Sequence, residues 1–465
     1  MKKTLRKALL CCLALALVCA LALAGCSAEE EKYVLSVYRA DDEIVVNYSD
    51  GTQEVIGTVE HDKLTAQELY EEYKSVYGDD LTYAEFLELY LSTPAENTSV
   101  IQQCLLASVK FYTEFYETVT TGIMQTGRRT GLYTGLGVIW RIDPDYTYMI
   151  TNYHVVYSQY ANSDNGGKTA HSIVCYLYGS ESAPYTTGQT SSGYTQYEYG
   201  NYAVACEYVG GSVMHDIAVV RAKTADMTAI NPDIRSAEFA DSYAVGQTAI
   251  AIGNPEGEGI SVSEGIVSVD NEYITLNIDG TARSYRSIRI DTAIYSGNSG
   301  GGLFNAEGKL IGITNAGDGE DQSINFAVPL EVARGAAENI MYWYGAGDGS
   351  SVTLRKPLLG VTVTAENSRF VYDDTLGSGA IREDIVVQSV ESGSIAKTVG
   401  VQAGDVLTEL KLGDTAYALD RNFDIADILL NARPGAVLTI TYKRGGETKT
   451  SGTYTFQTTD FTAAE

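Results

Sequence analysis

Histidine is scarce in this chain: His61, His154, His171 and His215 are the only four in 465 residues. Any chemistry that needs an imidazole is confined to those places. The cysteines beyond the N-terminus, Cys104, Cys175 and Cys206, are odd in number and have no metal-ligand spacing. No metal site is therefore expected, and no cofactor. Positive charge is also thin, with 32 Lys and Arg against 60 Asp and Glu, a formal net charge of −28. A chain this acidic repels phosphate backbones, which argues against nucleic acid as a partner and reads as solubility at an exposed location. What remains is an ordinary globular mixture, 45% hydrophobic and 20% charged. Its length calls for about two to four domains.

The first residues carry an address. Four basic residues (Lys2, Lys3, Arg6, Lys7) precede an apolar run from Ala8 to Ala24 that is short for a membrane span and ends in small residues. That is the pattern of a secretory signal, assigned to 1–25. The ending Leu23-Ala24-Gly25-Cys26 resembles a bacterial lipobox, which makes Cys26 the lipidated first residue of the mature chain. Two or more acyl chains hold a protein stably at a membrane. The expected location is therefore extracytoplasmic, anchored to a bacterial membrane through Cys26, with 26–32 as an acidic tether. Cys175 and Cys206 lie in two strand-like runs; a disulfide and buried free thiols both fit them.

Residues 33–95 read as a small α+β segment. "EIVVNYSDGTQEVIG" has a hairpin pattern around Asp50-Gly51, and "TAQELYEEYKSVYGDDLTYAEFLELYLS" has helical spacing. The latter shows no catalytic chemistry and suits a spacer or docking element. From 96 to 344 short β-like runs such as "GLGVIW", "DIAVVRA", "QTAIAIG" and "LIGITNA" alternate with turn residues, the signature of an all-β barrel or sandwich. A Tyr-rich stretch at about 176–208 holds eight tyrosines and reads as a long surface hairpin or insertion. A closing helix, a linker at 345–356, a separate unit at 357–458 and a tail at 459–465 follow.

One loop stands out. In "DTAIYSGNSGGGLFN" four glycines and an Asn surround Ser299. Glycine is entropically costly to fix, so the backbone here either makes a plain surface turn or aims its N–H groups around a nucleophile. A serine nucleophile needs a base, and the base needs a group that fixes its tautomer. His154 in "TNYHVV" follows a strand-like run, and Asp216 heads "DIAVV".

Taken together, "TNYHVV", "DIAVV", "GNPEGEG…SEGIVSV", "IRIDTAIYSGNSGGGLFN" and "INFAVPLEVA" resemble the HtrA/DegP group of trypsin-fold serine proteases over roughly 250 residues, in the family's His, Asp, Ser order. The resemblance implies a mainly β chain: a chymotrypsin/trypsin-like double β-barrel, a C-terminal PDZ domain and the small α+β N-terminal segment. His154 matches the general base, Asp216 (not His215) the carboxylate that orients it, and Ser299 the nucleophile. The N–H groups of Gly297 and Ser299 match the oxyanion hole. Side chains at Gly300 or Gly301 are expected to crowd the approach. Six residues before the serine, where enzymes that cut after Lys or Arg carry Asp, stands Ala293, so cleavage after small or medium apolar residues is expected. Gly302 replaces the family's usual Pro, a change expected to loosen the segment after the nucleophile.

Within 357–458, "PLLGV" and "GVQAGDVL" resemble a protease-associated PDZ domain. Leu359, Gly360 and Val361 match the loop that receives a C-terminal carboxylate; Ile425, Ile428 and Leu429 match the helix lining a peptide pocket. "ENSRFVYDDTLGSGA" reads as an inserted loop. The expected activity is ATP-independent endopeptidase cleavage of unfolded or mislocalised proteins through an acyl-enzyme, with peptide C-termini bound at the PDZ domain. A homotrimer is an assembly the resemblance allows. The rivals are a chaperone or peptide-binding scaffold with a latent site, and a surface adhesin or host-protein-cleaving factor.

Overall fold

The computed structural model describes residues 34–40, 43–48, 53–58, 94–122, 125–257, 259–317, 323–373 and 378–464, together with Tyr70 and Lys74. The signal run, Cys26, the tether and His61 lie outside the described residues, as does nearly all of the helical stretch at 65–92. Two compact units divide the chain at 93/94. In the first, β1 (Val34–Ala40), β2 (Glu43–Tyr48) and β3 (Gln53–Thr58) form an antiparallel sheet in sequence order.

The second unit opens with α1 (Pro94–Leu106) and then builds a sheet from β4 (Ser108–Gly122), β5 (Gln125–Ile142) and β6 (Tyr146–Thr151). A short turn of helix, α2 (Tyr153–Val156), follows, then β7 (Ser172–Leu177). The Tyr-rich stretch folds as a hairpin of β8 (Tyr185–Gln189) and β9 (Thr195–Glu198). Its tyrosines are not all on display: Tyr194 is buried and stacks on Tyr116 with ring centroids 4.1 Å apart. β10 (Val204–Ser212) and β11 (Ile217–Lys223) complete the sheet, and their pairing closes it into a barrel. Cys175 and Cys206 lie on the paired strands β7 and β10 as free thiols.

After α3 (Thr224–Ile230) comes a second closed barrel, of β12 (Thr248–Gly253), β13 (Ser261–Asn277), β14 (Ala282–Ile290), β15 (Gly302–Phe304), β16 (Leu310–Gly317) and β17 (Asn325–Pro329). Every residue of β15 and β17 is buried, the polar Asn325 included. α4 (Leu330–Ala346) lays Ala333, Ala336, Ala337 and Ile340 along one helical face and buries all four. These residues join Val138, Ile150 and Val219 of the first barrel and Ile250, Phe304 and Ile313 of the second in one apolar core. The Ser299 loop therefore leads, through Phe304, into a continuous core shared by both barrels.

The segment expected to be a linker is docked. α4 extends into it, β18 (Val352–Thr353) adds to β10 in parallel, and β19 (Arg355–Lys356) follows directly. Then come β20 (Val361–Asp373), β21 (Ser378–Val390), α5 (Ile395–Val399), β22 (Val406–Leu412), β23 (Thr415–Ala418), α6 (Asp424–Ile428), β24 (Val437–Arg444) and β25 (Glu447–Thr450). The sheet runs β20-β21-β22-β24-β25, leaving β20 at its edge. Residues read as an inserted loop are paired strand instead: Arg369 faces Arg382 and Tyr372 faces Gly379 across the β20–β21 hairpin. Among the described residues no helix is long and apolar enough to cross a membrane.

Candidate active site

Register brings the base and its acid together. β6 pairs with β11 so that Thr151 faces Ala218, and the residues leaving one strand meet those entering the other. His154, on α2, lies just beyond the first; Asp216 lies just before the second. The His154 ring donates from Nδ1 to Asp216 Oδ2 at 2.8 Å, and its backbone N–H donates to Oδ1 at 3.0 Å. Asp216 is fully buried, and the Asn152 amide donates to its carbonyl at 2.9 Å. Its φ of +48° is a left-handed conformation for a residue with a side chain. Strain of this kind persists where the surroundings over-determine a functional position. With Nδ1 committed to Asp216, Nε2 is the ring atom left to take a proton. Burial disfavours the charged ring, but the Asp216 charge and hydrogen bond outweigh it and raise the His154 pKa.

The nucleophile comes from the other barrel. The Ser299 loop precedes β15 and is pinned from three sides. Leu136 N–H of the first barrel donates to Ser299 O at 2.8 Å. Buried Thr314 on β16 donates its hydroxyl to Asn298 O at 2.7 Å and its N–H to Gly301 O at 2.8 Å. Buried Asn298 accepts from Asn254 N–H at 2.8 Å. Gly297 has φ +98°, and a Cβ there would lie 2.4 Å from Asn254 O. Neither Gly297 N–H nor Ser299 N–H donates to any acceptor among the described residues. Two N–H groups left free beside a serine match what an oxyanion requires.

Two expectations about the neighbouring glycines are corrected. A Cβ at Gly300 would strike Leu136 O at 2.1 Å, and one at Gly301 would strike Ile252 O at 2.2 Å. These glycines admit the barrel backbone rather than the substrate. Gly302 is buried and pairs with Ile313, and a Cβ there would lie 2.4 Å from the Phe304 ring. It makes room for a core aromatic rather than loosening the segment.

His154, Gly297, Ser299 and Asn315 line one open cleft of about 410 Å³ with Tyr133, Tyr160 and Leu276. Ala293 is half-buried, its carbonyl accepting from Ser263 Oγ at 3.2 Å, and it is not among the cleft-lining residues. His215 takes no part. It bonds Ser212 Oγ at 2.8 Å, Lys356 stands beside it, and burial pushes its pKa down to about 3. His171 stacks on Tyr116 away from the cleft. No cluster of metal-ligating side chains occurs among the described residues.

The comparisons follow the same division. Residues 135–313 match the trypsin-like peptidase domain family, and 357–453 match the PDZ domain family. Over 336 residues the chain is 28% identical to Serine protease Do-like HtrA of Lactococcus lactis subsp. lactis, covering 68% of this chain and 69% of that protein. The chain is an HtrA-like serine endopeptidase with a PDZ domain. Serine protease Do-like HtrA of Bacillus subtilis is also 28% identical, over 68% of this chain but only 62% of that protein. Among solved structures, the HtrA-type protease AlgW with decapeptide aligns at a TM-score of 0.45 and 23% identity, covering 77% of this chain and 98% of that one.

In the PDZ domain of this HtrA-like protease, the expected peptide-binding residues divide into two groups. Leu359 and Gly360 send their carbonyls to Ala396 N–H at 3.0 Å and Glu391 N–H at 2.9 Å. Their own N–H groups donate to nothing among the described residues. Val361 opens the edge strand β20. Ile425, Ile428 and Leu429, expected to line a pocket, pack in the domain core with Leu359, and Ile428 also lines a cleft with Leu330 and Tyr417. Asn298, Asn254 and Thr314 carry no sequence signature of this bracing role. All three lie inside the "SGNSGG", "GNPEGEG" and "LIGITNA" stretches, but an amide or hydroxyl that braces a loop has no pattern of its own.

Proposed function

We propose that this protease is anchored by lipid on Cys26 outside the cytoplasm and cuts unfolded or mislocalised proteins. Ser299 attacks the carbonyl, His154 takes its proton and passes it to the leaving amine, and Gly297 and Ser299 N–H groups receive the oxyanion. Water then hydrolyses the acyl-enzyme. The observation that carries the chemistry is the pair of N–H groups beside Ser299 that have no acceptor among the described residues, with Asp216 holding His154 for the same cleft. Anchoring and location rest on the apolar run at 8–24 and the Leu23-Ala24-Gly25-Cys26 ending. Peptide C-termini would be held by the Leu359 and Gly360 N–H groups, with the peptide adding as a strand to the open edge of β20. Ala293 and the absence of an acid there support cleavage after small or medium apolar residues.

Casein degradation by wild type and Ser299→Ala tests the activity: equal rates end the endopeptidase reading. Membrane fractionation of wild type and Cys26→Ala tests the anchor, with the variant expected in the soluble fraction. A peptide-library profile dominated by Arg or Lys on the acyl side would sink the specificity claim.

A further inference from the structure

The cleft at Ser299 has no Lys, Arg, Asp or Glu among the described residues that line it. In a chain that is 20% charged, this marks a surface kept free of charged side chains beside the reacting centre, its polar members such as Thr134, Gln159 and Asn277 being neutral. Its apolar surface is supplied by Tyr133, Val155, Tyr157, Tyr160, Leu276 and Ile278.

The wall is held in place from behind. Tyr133 donates its hydroxyl to Glu117 Oε1 at 2.9 Å, and its ring meets Phe115 edge to face with centroids 5.7 Å apart. Glu117 is fully buried and gathers two more donors at 2.9 Å, Arg129 Nε and Ser158 Oγ. A carboxylate sunk this deep is tolerated because it is paired with the Arg129 guanidinium at 2.8 Å and hydrogen-bonded by Tyr133 and Ser158. Its effect is to fix one ring at the rim of the cleft. Tyr157 is fixed independently by stacking on Tyr153, at 5.0 Å between centroids. Tyr160, 64% exposed, stands free at the mouth.

His154 gives its proton to the departing amine, so the leaving segment of a substrate passes on the His154 side of Ser299. Tyr157 and Tyr160 follow His154 directly in the chain, whereas Asn315 on β16 stands on the Ser299 side and accepts the Ser299 hydroxyl at 2.9 Å. We propose that the tyrosine wall is a subsite for an aromatic or large aliphatic side chain in the first two residues after the scissile bond. The proposal rests on the serine endopeptidase reading and adds a second selective position to it. Rings already held in place, as Tyr133 and Tyr157 are, lose little entropy on binding, and aromatic pairs gain beyond simple burial. Side chains of this class are mostly inside folded proteins and become available on unfolding. The subsite thereby couples cleavage to the folding state of the substrate.

The test uses internally quenched peptides with a constant acyl side and Phe, Leu, Ala, Ser, Asp or Lys at each of the two leaving positions. The expected kcat/KM for Phe or Leu exceeds that for Ala by about tenfold, with Asp lowest. Tyr160→Ala and Leu276→Ala are expected to compress the Phe-to-Ala ratio several-fold. Tyr133→Phe, which keeps the ring but loses the Glu117 bond, compresses it less than Tyr133→Ala. Cleavage that depends on Ser299 but shows a flat leaving-side profile overturns the subsite while leaving the endopeptidase reading intact. A Phe-to-Ala ratio unchanged in Tyr160→Ala and Leu276→Ala overturns it too.

Discussion

Ser299 Oγ donates to the carbonyl of Asn315 at 2.9 Å, and no hydrogen bond joins it to the His154 ring among the described residues. Base and acid are already engaged, at 2.8 Å, and neither oxyanion N–H group donates to an acceptor among the described residues. The step from this arrangement to a reactive one is a rotation about a single side-chain bond, a small barrier between staggered wells. A fluorophosphonate should therefore label the purified enzyme without any added peptide. Labelling should vanish in Ser299→Ala and fall sharply in His154→Ala. Labelling that appears only after a PDZ peptide is added would mean the site is not assembled at rest.

The pH profile follows from Asp216. Burial lowers the affinity of the His154 ring for its proton, while the Asp216 charge and hydrogen bond raise it and prevail. The neutral ring is the base, so kcat/KM should climb with pH through a midpoint above the ordinary histidine value of about 6.5. Asp216→Asn leaves the burial and removes the charge. Its acid limb should move to lower pH, while the plateau falls by about 10⁴-fold as the tautomer is lost. A plateau loss without movement of the limb would assign the limb to another group.

Gly297 offers the sharpest steric test. With φ at +98° and Asn254 O at 2.4 Å from a Cβ, Gly297→Ala must move the peptide that carries one oxyanion N–H. The expected result is a kcat lower by about 10²–10³-fold with KM nearly unchanged, because the lost bond forms chiefly in the transition state. A rise in KM at constant kcat would show that Gly297 serves binding instead.

Sequence made the triad legible because nucleophile, base and acid each carry a short motif, and the β-rich architecture because its strands are apolar runs between turns. It did not reveal the tertiary consequences of a turn. Gly300 and Gly301 read as room for a substrate and Gly302 as looseness after the nucleophile, yet they are spaces for Leu136, Ile252 and Phe304, residues distant in sequence or hidden in a strand. Ile425, Ile428 and Leu429 carry the helical spacing of a groove and of a core alike; only the packing tells them apart. The linker at 345–356 looked free because glycine and serine mark loops, while two short strands were enough to fasten it.

The PDZ domain is latched to the second barrel by Arg286 on β14. Its guanidinium donates to Asp427 Oδ2 at 2.7 Å and lies over the Phe423 ring at 3.7 Å. Arg286 and Asp427 are only 8% and 14% exposed. Burial raises the Asp427 pKa to about 7, with Arg286 opposing and Glu331 adding to the rise. Arg286→Ala leaves Asp427 buried without its counter-charge, a loss of about 3–5 kcal/mol where such pairs are well buried. The deficit should be larger at about pH 8, where Asp427 is ionised, than at about pH 5, where it is protonated and needs no partner. Faster proteolytic cutting between residues 345 and 356 in the variant is the measurement. Equal cutting at both pH values would remove the latch role from Arg286.

Lys110 supports the oxyanion turn from the opposite barrel. It is 3% exposed on β4, and its ammonium donates to Gly257 O at 2.5 Å. Burial lowers its pKa, with Glu181 opposing, so the charge is held against the cost of desolvation. Gly257 N–H in turn donates at 3.0 Å to Asn254 O, the atom against which Gly297 turns. Lys110→Met keeps the stem and removes the donor, at about 1.5–3 kcal/mol for a charge-assisted bond. Thermal stability should fall by several degrees. If the bond also positions the turn, kcat should drop by about tenfold at nearly constant KM, because Gly297 N–H would lose its aim. Lys110→Arg, which retains charge and donor, should recover part of kcat. A variant that melts earlier but turns over at the wild-type rate would confine Lys110 to holding the two barrels together.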